Sequence, residues 1–268
     1  SFCMSYVHQD HSATAVVLLL LLTVATLPSC NLPERPGYTD TPTIDGERYQ
    51  VHSPLRPQPP RAKPLADTFT PPPSDAIVLF KDDLSEWNNN NWDITEQQVM
   101  TCAGGGDIKT NLTFGDCQLH IEFRIPEKTQ GEGQNMGNSG VFLMDNYEVQ
   151  VLNAYNNSTY ADGTCGAIYG QFPPLLNASK PANEWQSYDI FFTRPRFNED
   201  GAFDSPPKIT VIHNGINIHV ERELYGPTRW RALATATPHP DLLPLRLQDH
   251  GNAVSYRNIW IRDLEQIN

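Results

Sequence analysis

Residues 138–152 read NSGVFLMDNYEVQVL, and the second half, Tyr147-Glu148-Val149-Gln150-Val151-Leu152, sets the reading of the whole chain. Side chains alternate faces along a strand, so Tyr147, Val149 and Val151 share one side while Glu148 and Gln150 share the other. One face is apolar and can enter a core. The other carries a carboxylate and an amide about 6.6 Å apart, from the ~3.3 Å rise per residue, so both can reach one small ligand. Taken alone, Glu-x-Gln also describes an amphipathic strand with a merely wet outer face, and its meaning depends on what the chain repeats elsewhere.

The pattern recurs. Leu119, Ile121, Phe123 and Ile125 alternate with His120, Glu122 and Arg124, and Leu245 and Leu247 alternate with Arg246, Gln248 and His250. Ile259 and Ile261 alternate in the same way with Asn258, Trp260 and Arg262. Further strands are read at 76–80, 92–100, 139–144, 185–194 and 208–213, and Asn214-Gly215 between Ile212 and Ile216 is a two-residue hairpin signal. The run Gly104-Gly105-Gly106-Asp107 lacks the Lys and Ser/Thr of a phosphate-binding loop and reads as a turn. Two polar loops, 131–138 and 156–171, are long enough to be functional or disordered, and 224–241 shows no usable period. With 23 Pro, 17 Gly and 10% aromatic residues, these short runs imply one all-β domain rich in turns.

A formal net charge of -12 argues against nucleic acid, whose phosphates require a basic face, and favours neutral or polar partners. The five cysteines, Cys3, Cys30, Cys102, Cys117 and Cys165, contain no close pair suited to zinc. A Cys102–Cys117 bridge in an oxidising compartment and buried free thiols both fit.

Residues 15–27, AVVLLLLLTVATL, form an apolar run of 13, short of the ~20 that span a bilayer but suited to a signal-peptide core. Leu27-Pro28-Ser29-Cys30 follows and looks like a bacterial lipobox with Cys30 as the lipidated residue, although Pro28 and the uncharged flank before the run depart from that pattern. A plain secretory peptide is the alternative, and both place the mature protein outside the cytoplasm. Residues 31–73 hold 11 prolines and few large apolar groups, which predicts an extended tether able to reach roughly 130 Å at ~3.1 Å per residue. The expected layout is therefore a signal segment over 1–30, a Pro-rich disordered tether over 31–74 and a β-domain over 75–268. It places the protein on a bacterial cell envelope, lipid-anchored on the periplasmic or outer surface, or secreted, with membrane contact only through the N-terminal anchor.

The pieces LFKDDLSEW, GGGDI, FGDCQLHIEFRIP, GNSGVFL, YEVQVL, YADGTCGAIYGQFPPLLNAS, EWQSYDIFFTRPRF, VIHNG and LRLQDHGN occur in order from about residue 77 to 264. In this order they resemble the 3-keto-disaccharide hydrolase domain family. The resemblance implies a concanavalin A-like jelly-roll sandwich of two antiparallel sheets with a saccharide on its concave face. It also implies cleavage of glycosides whose sugar is oxidised to a ketone at carbon 3. A ketone there acidifies the hydrogen on carbon 2, so a base can remove it, the enolate can expel the group on carbon 1, and water can add. That route needs a base, a holder for the enolate oxygen and an acid for the leaving group. Glu148 and His250 are the expected proton-transfer groups with Glu122 in reserve. Arg124 or a bound divalent cation is expected to hold the oxyanion, and His120, Gln150, Arg246 and Gln248 to contact hydroxyls.

Each assignment has a plainer counterpart. His250 precedes Gly251 in a turn and can simply satisfy backbone groups, Asp249 suits a turn, and His213 beside the hairpin is expected to be exposed. Trp185 and Trp260 are expected in the core rather than as sugar platforms. The rival functions are a non-catalytic lectin-like module, which should offer aromatic platforms, and a tethered structural or assembly domain.

Overall fold

The computed structural model describes residues 35–265, apart from 68, 89, 90, 97 and 130. The apolar run at 15–27 and Cys30 lie outside the described residues. In chain order the strands are β1 (Ile77–Val78), β2 (Asp93–Glu96), β3 (Val99–Thr101), β4 (Ile108–Phe114), β5 (Cys117–Arg124), β6 (Ser139–Leu143) and β7 (Tyr147–Val151). There follow β8 (Trp185–Thr193), β9 (Arg196–Phe197), β10 (Phe203–Ser205), β11 (Lys208–His213), β12 (Ile216–Glu223), β13 (Leu243–Leu247) and β14 (Ser255–Asp263). All pair antiparallel, in a large sheet ordered β12-β11-β8-β5-β14-β3-β2 with β1 on β14, a smaller sheet ordered β4-β13-β6-β7, and the ribbon β9-β10. The chain is thus all-β, as its alternation implies, and forms the jelly-roll sandwich that the resemblance implies.

Alternation supplies the core. Leu119, Ile121 and Phe123 of β5 and Tyr188, Ile190 and Phe192 of β8 pack in one buried cluster with Tyr147, Val149 and Val151 of β7 and Leu245 and Leu247 of β13. Tyr147 and Phe192 rings meet at 5.3 Å, and the Tyr188 hydroxyl donates to the Gln150 carbonyl at 2.7 Å, tying one sheet to the other. The Asn-Gly turn takes positive φ at both residues, 52° at Asn214 and 79° at Gly215, as a type I′ hairpin requires.

Several expectations need correction. The strand expected over 92–100 is two, β2 and β3, with Gln98 in the left-handed region between them. Strand β4 was not legible, because Lys109, Asn111 and Thr113 interrupt any run of apolar residues. His213 is fully buried, not exposed: its Nε2 lies 3.1 Å from Gln186 Oε1, and burial depresses its pKa to about 3. Cys102, Cys117 and Cys165 are buried free thiols.

The largest correction concerns the tether. Described residues before β1 pack against the sandwich: Ile44, Val51, His52 and Arg56 are buried, and Ala62 N donates to the Asn177 carbonyl at 2.9 Å. Composition counted apolar groups without their placement. Ile44 and Val51 sit where loop surface receives them while Leu55, Leu65 and Phe69 stay exposed, and proline has already restricted the unfolded chain, so ordering it costs less.

Candidate active site

On the face of the small sheet opposite the core, register builds one row of side chains across all four strands. Lys109 pairs with Arg246, Arg246 with Phe142, and Phe142 with Glu148. The next row runs from Gln248, whose amide bonds the Gly140 carbonyl at 3.0 Å, through Gly140 to Gln150. Gly140 leaves a hollow in that row, for a Cβ there would lie 2.6 Å from Glu148 Oε1 and 2.8 Å from the Phe142 ring. Loops from both polar stretches close over these rows to form a cavity of about 610 Å³, with Glu148, Gln150, Arg246, Gln248 and His250 in its wall.

Glu148 is only 4% exposed, and burial raises its carboxyl pKa to about 8, with Arg246 opposing and Asp107 reinforcing the shift. A carboxyl taken from water favours its neutral form unless a partner compensates. Compensation is partial here because Arg246 is already engaged: its Nη1 reaches Asp107 Oδ2 at 2.6 Å, its Nε reaches Asp145 Oδ1 at 2.5 Å, and its Nη2 reaches the Asp145 carbonyl at 3.3 Å. The guanidinium also lies 3.5 Å above the Phe142 ring centroid. Three of its five N–H donors are spoken for, leaving two. In the orientation that pairs its nitrogen with acceptors, the Gln150 amide donates to Glu148 Oε1 at 3.0 Å and to the Ser139 carbonyl at 2.9 Å. His250 sits exposed at the rim, beyond Asp249, whose Oδ1 accepts from Gly251 N at 2.9 Å to shape the turn.

His120, Glu122 and Arg124, expected at the same site, lie elsewhere. They project from the outer face of the large sheet, with the whole core between them and Glu148. There they are paired. Glu122 accepts from Arg257 at 2.6 Å and from Asn258 at 2.9 Å, both presented by an irregularity in β14 between Arg257 and Trp260. His120 Nδ1 is 2.6 Å from Asp189, and its ring stacks on Trp260 at 5.2 Å. Burial would raise the Glu122 pKa, but hydrogen bonds from His120, Asn258 and Arg257 hold it below the ordinary value. His120 is held above its own by Asp189 and Glu122, against the effect of burial. Arg124 bonds Glu96 at 2.7 Å and lies over the half-buried Trp185, which therefore faces outward rather than into the core. Trp260 is buried as expected, but under residue 70, whose carbonyl accepts from its indole at 3.0 Å. Strand alternation shows that two residues leave the core, not which outer face of a sandwich they reach.

Sequence reasoning missed the aromatic walls. Tyr38, Tyr160, Tyr169 and Trp230 all line the cavity. Tyr160 and Tyr169 come from the 156–171 loop and share a hydroxyl contact of 2.7 Å. Trp230 comes from the stretch without a period. The aromatic platforms expected of a lectin-like module are therefore present beside the acid and the guanidinium. The one signal available was Tyr and Trp placed in segments too polar to form core. Among the described residues no three His, Cys, Asp or Glu side chains are grouped to hold a metal ion.

A buried acid, a guanidinium and amides on a concave β-sandwich face, walled by aromatic rings, define a carbohydrate-active class of protein. The chain belongs to the 3-keto-α-glucoside-1,2-lyase-like domain family, whose model matches residues 75–262. A crystal structure from Parabacteroides distasonis, provisionally described as a glycosyl hydrolase, is 41% identical with a TM-score of 0.71, covering 85% of this chain and 99% of that one. Two further crystal structures from the same organism with the same description share the fold at TM-scores of 0.53 and 0.51 and identities of 22% and 19%, covering 70% and 71% of this chain and 99% and 94% of theirs. A search of curated proteins found no match. Together the family and the first of these structures support a carbohydrate-active enzyme.

Proposed function

We propose that the chain cleaves glycosides whose sugar carries a ketone at carbon 3, with Glu148 as the base. The observation that carries this reading is a single buried carboxyl with a pKa raised to about 8 in a polar, saccharide-sized cavity. An ordinary glycosidase needs two carboxyl groups flanking the bond, whereas an elimination needs one base of suitable strength. Glu148 takes the proton from carbon 2, and the electron pair passes into the carbon 3 carbonyl as an enolate. Arg246 lines the cavity and keeps two donors to hold that oxygen, replacing Arg124 in the role. The enolate then re-forms the ketone, a carbon 1–carbon 2 double bond appears, and the bond from carbon 1 to the leaving oxygen breaks. His250 at the rim supplies a proton to that oxygen, imidazole being the side chain most used for such transfers. Water adds across the double bond, hydroxyl to carbon 1 and hydrogen to carbon 2, so the net change is hydrolysis. Gln150 and Gln248 orient hydroxyls.

The test uses the full chain with a 3-keto-glucoside and the parent glucoside. Release of the leaving group from the first alone is expected. Binding of both without release would favour the lectin-like alternative, for which the aromatic walls also speak. For the N-terminus we propose a lipid anchor at Cys30 and an envelope location. Fatty-acid labelling lost in Cys30→Ser is the expected result, and labelling that persists would refute it.

A further inference from the structure

We infer that the segment before the family domain completes the site, and that Trp230, backed by Tyr38 and Arg231, forms a platform for a second sugar ring, the one that leaves. The inference rests on the function proposed above and adds the leaving-group side of the same cavity. Tyr38 lies outside the family match at 75–262, yet its ring lines the cavity. It is fixed there from behind. Tyr38 N donates to the His52 carbonyl at 2.9 Å, and His52 N donates to Asp162 Oδ2 at 2.9 Å, inside the loop that carries Tyr160 and Tyr169. The His52 ring packs at a tilt 4.2 Å from Tyr160, 4.8 Å from Tyr169 and 6.1 Å from Tyr38, so one buried residue of the N-terminal segment braces all three tyrosine walls.

Trp230 adds an indole to these tyrosines. The residue is 64% exposed, and its ring stands edge-on to Tyr38 at 6.3 Å. Arg231 reaches back over both rings, 4.2 Å from the Tyr38 centroid and 5.4 Å from that of Trp230, while Asp40 grips its guanidinium through both oxygens at 2.6 Å. To do so Arg231 takes a φ of 54°, a conformation costing a non-glycine residue on the order of 1 kcal/mol or more, which persists only where surroundings enforce it. The platform is also tied to the acid. Thr228 Oγ1 accepts from the backbone N–H of Glu148 itself at 3.0 Å, and Trp230 follows two residues later, at most about 7 Å along the chain. That keeps Trp230 within about one sugar ring's length, along the chain, of the contact with the Glu148 strand. An exposed indole offers its face to the C–H side of a pyranose, and an arginine beside it offers donors to hydroxyls.

The experiment compares two substrates on the wild-type chain, Trp230→Ala and Tyr38→Ala: methyl 3-keto-α-glucoside, whose leaving group is small, and the 3-keto form of an α-linked glucose disaccharide. The ratio of kcat/KM for disaccharide over methyl glycoside should fall about tenfold or more in both variants, mainly through KM. An unchanged ratio would overturn the platform. Should neither substrate be cleaved by wild type, the proposed reaction fails but the platform is still decided by tryptophan fluorescence titrated with the unoxidised disaccharide and with glucose. A response stronger for the disaccharide and lost in Trp230→Ala supports it; equal responses refute it.

Discussion

The two outer faces of this sandwich carry nearly the same side chains and do opposite things with them. On the large sheet, Glu122 meets Arg257, Asn258 and His120, and its carboxylate is held ionised. On the small sheet, Glu148 faces a guanidinium already divided between Asp107 and Asp145, and its carboxyl is pushed towards neutrality. One acid is paired within the fold, the other lines the cavity with the Gln150 amide as its hydrogen-bond partner. Strained or perturbed groups cluster where function needs them, whereas complete pairing marks structure.

The sharpest way to break the contrast is to neutralise each acid in turn. Glu148→Gln should lower kcat by ~10² to 10⁴, the usual worth of a positioned base, with no loss of folding. Glu122→Gln should leave kcat near wild type and instead cost about 1–3 kcal/mol in denaturant unfolding, since Arg257 loses a charged acceptor. A variant at 122 that unfolds normally but cannot turn over would erase the distinction.

Acidity separates the faces next. Because the folded Glu148 binds its proton up to a pKa of about 8, against 4.5 when exposed, the folded state holds more protons between those values. Its contribution to stability is full below about 4.5 and is lost as pH rises through about 8, by a few kcal/mol in all. The lowered Glu122 acts in the other sense, stabilising above the ordinary carboxyl value and losing that contribution as pH falls below it. Melting curves across this range should show wild type losing stability towards pH 8 and Glu148→Gln losing less. Wild-type kcat/KM should rise over the same interval as Glu148 ionises.

A smaller effect tests the hollow. Gly140→Ala places a methyl against Glu148 and Phe142 and should reduce kcat/KM by about tenfold or more while costing ~1–3 kcal/mol, the range for overpacking. Smallest of all, Arg124→Ala removes an ion pair with a largely exposed Glu96 and should change stability by no more than ~1 kcal/mol, without effect on turnover.

The strands at 119–125, 139–144, 147–152, 185–194 and 208–213 and the Asn-Gly hairpin were legible because period and turn chemistry are local. So was the group that shares one cavity wall, Glu148, Gln150 and Arg246 on the small sheet with Gln248 and His250 just past the end of β13. Which residues must leave the core was legible as well, since a side chain's face follows from its parity along a strand. The sequence could not tell the outside of one sheet from the outside of the other, and so merged Glu122 with Glu148. Pairing decided that, by setting Arg246 and Phe142 beside Glu148 and Arg257 beside Glu122. Tertiary packing alone also brought Tyr38 and Trp230 to the cavity, from segments whose composition promised a tether and a loop without period. Neither segment has local periodicity to read, because turns of its own and scattered contacts with loops distant in sequence hold it, rather than a repeating face.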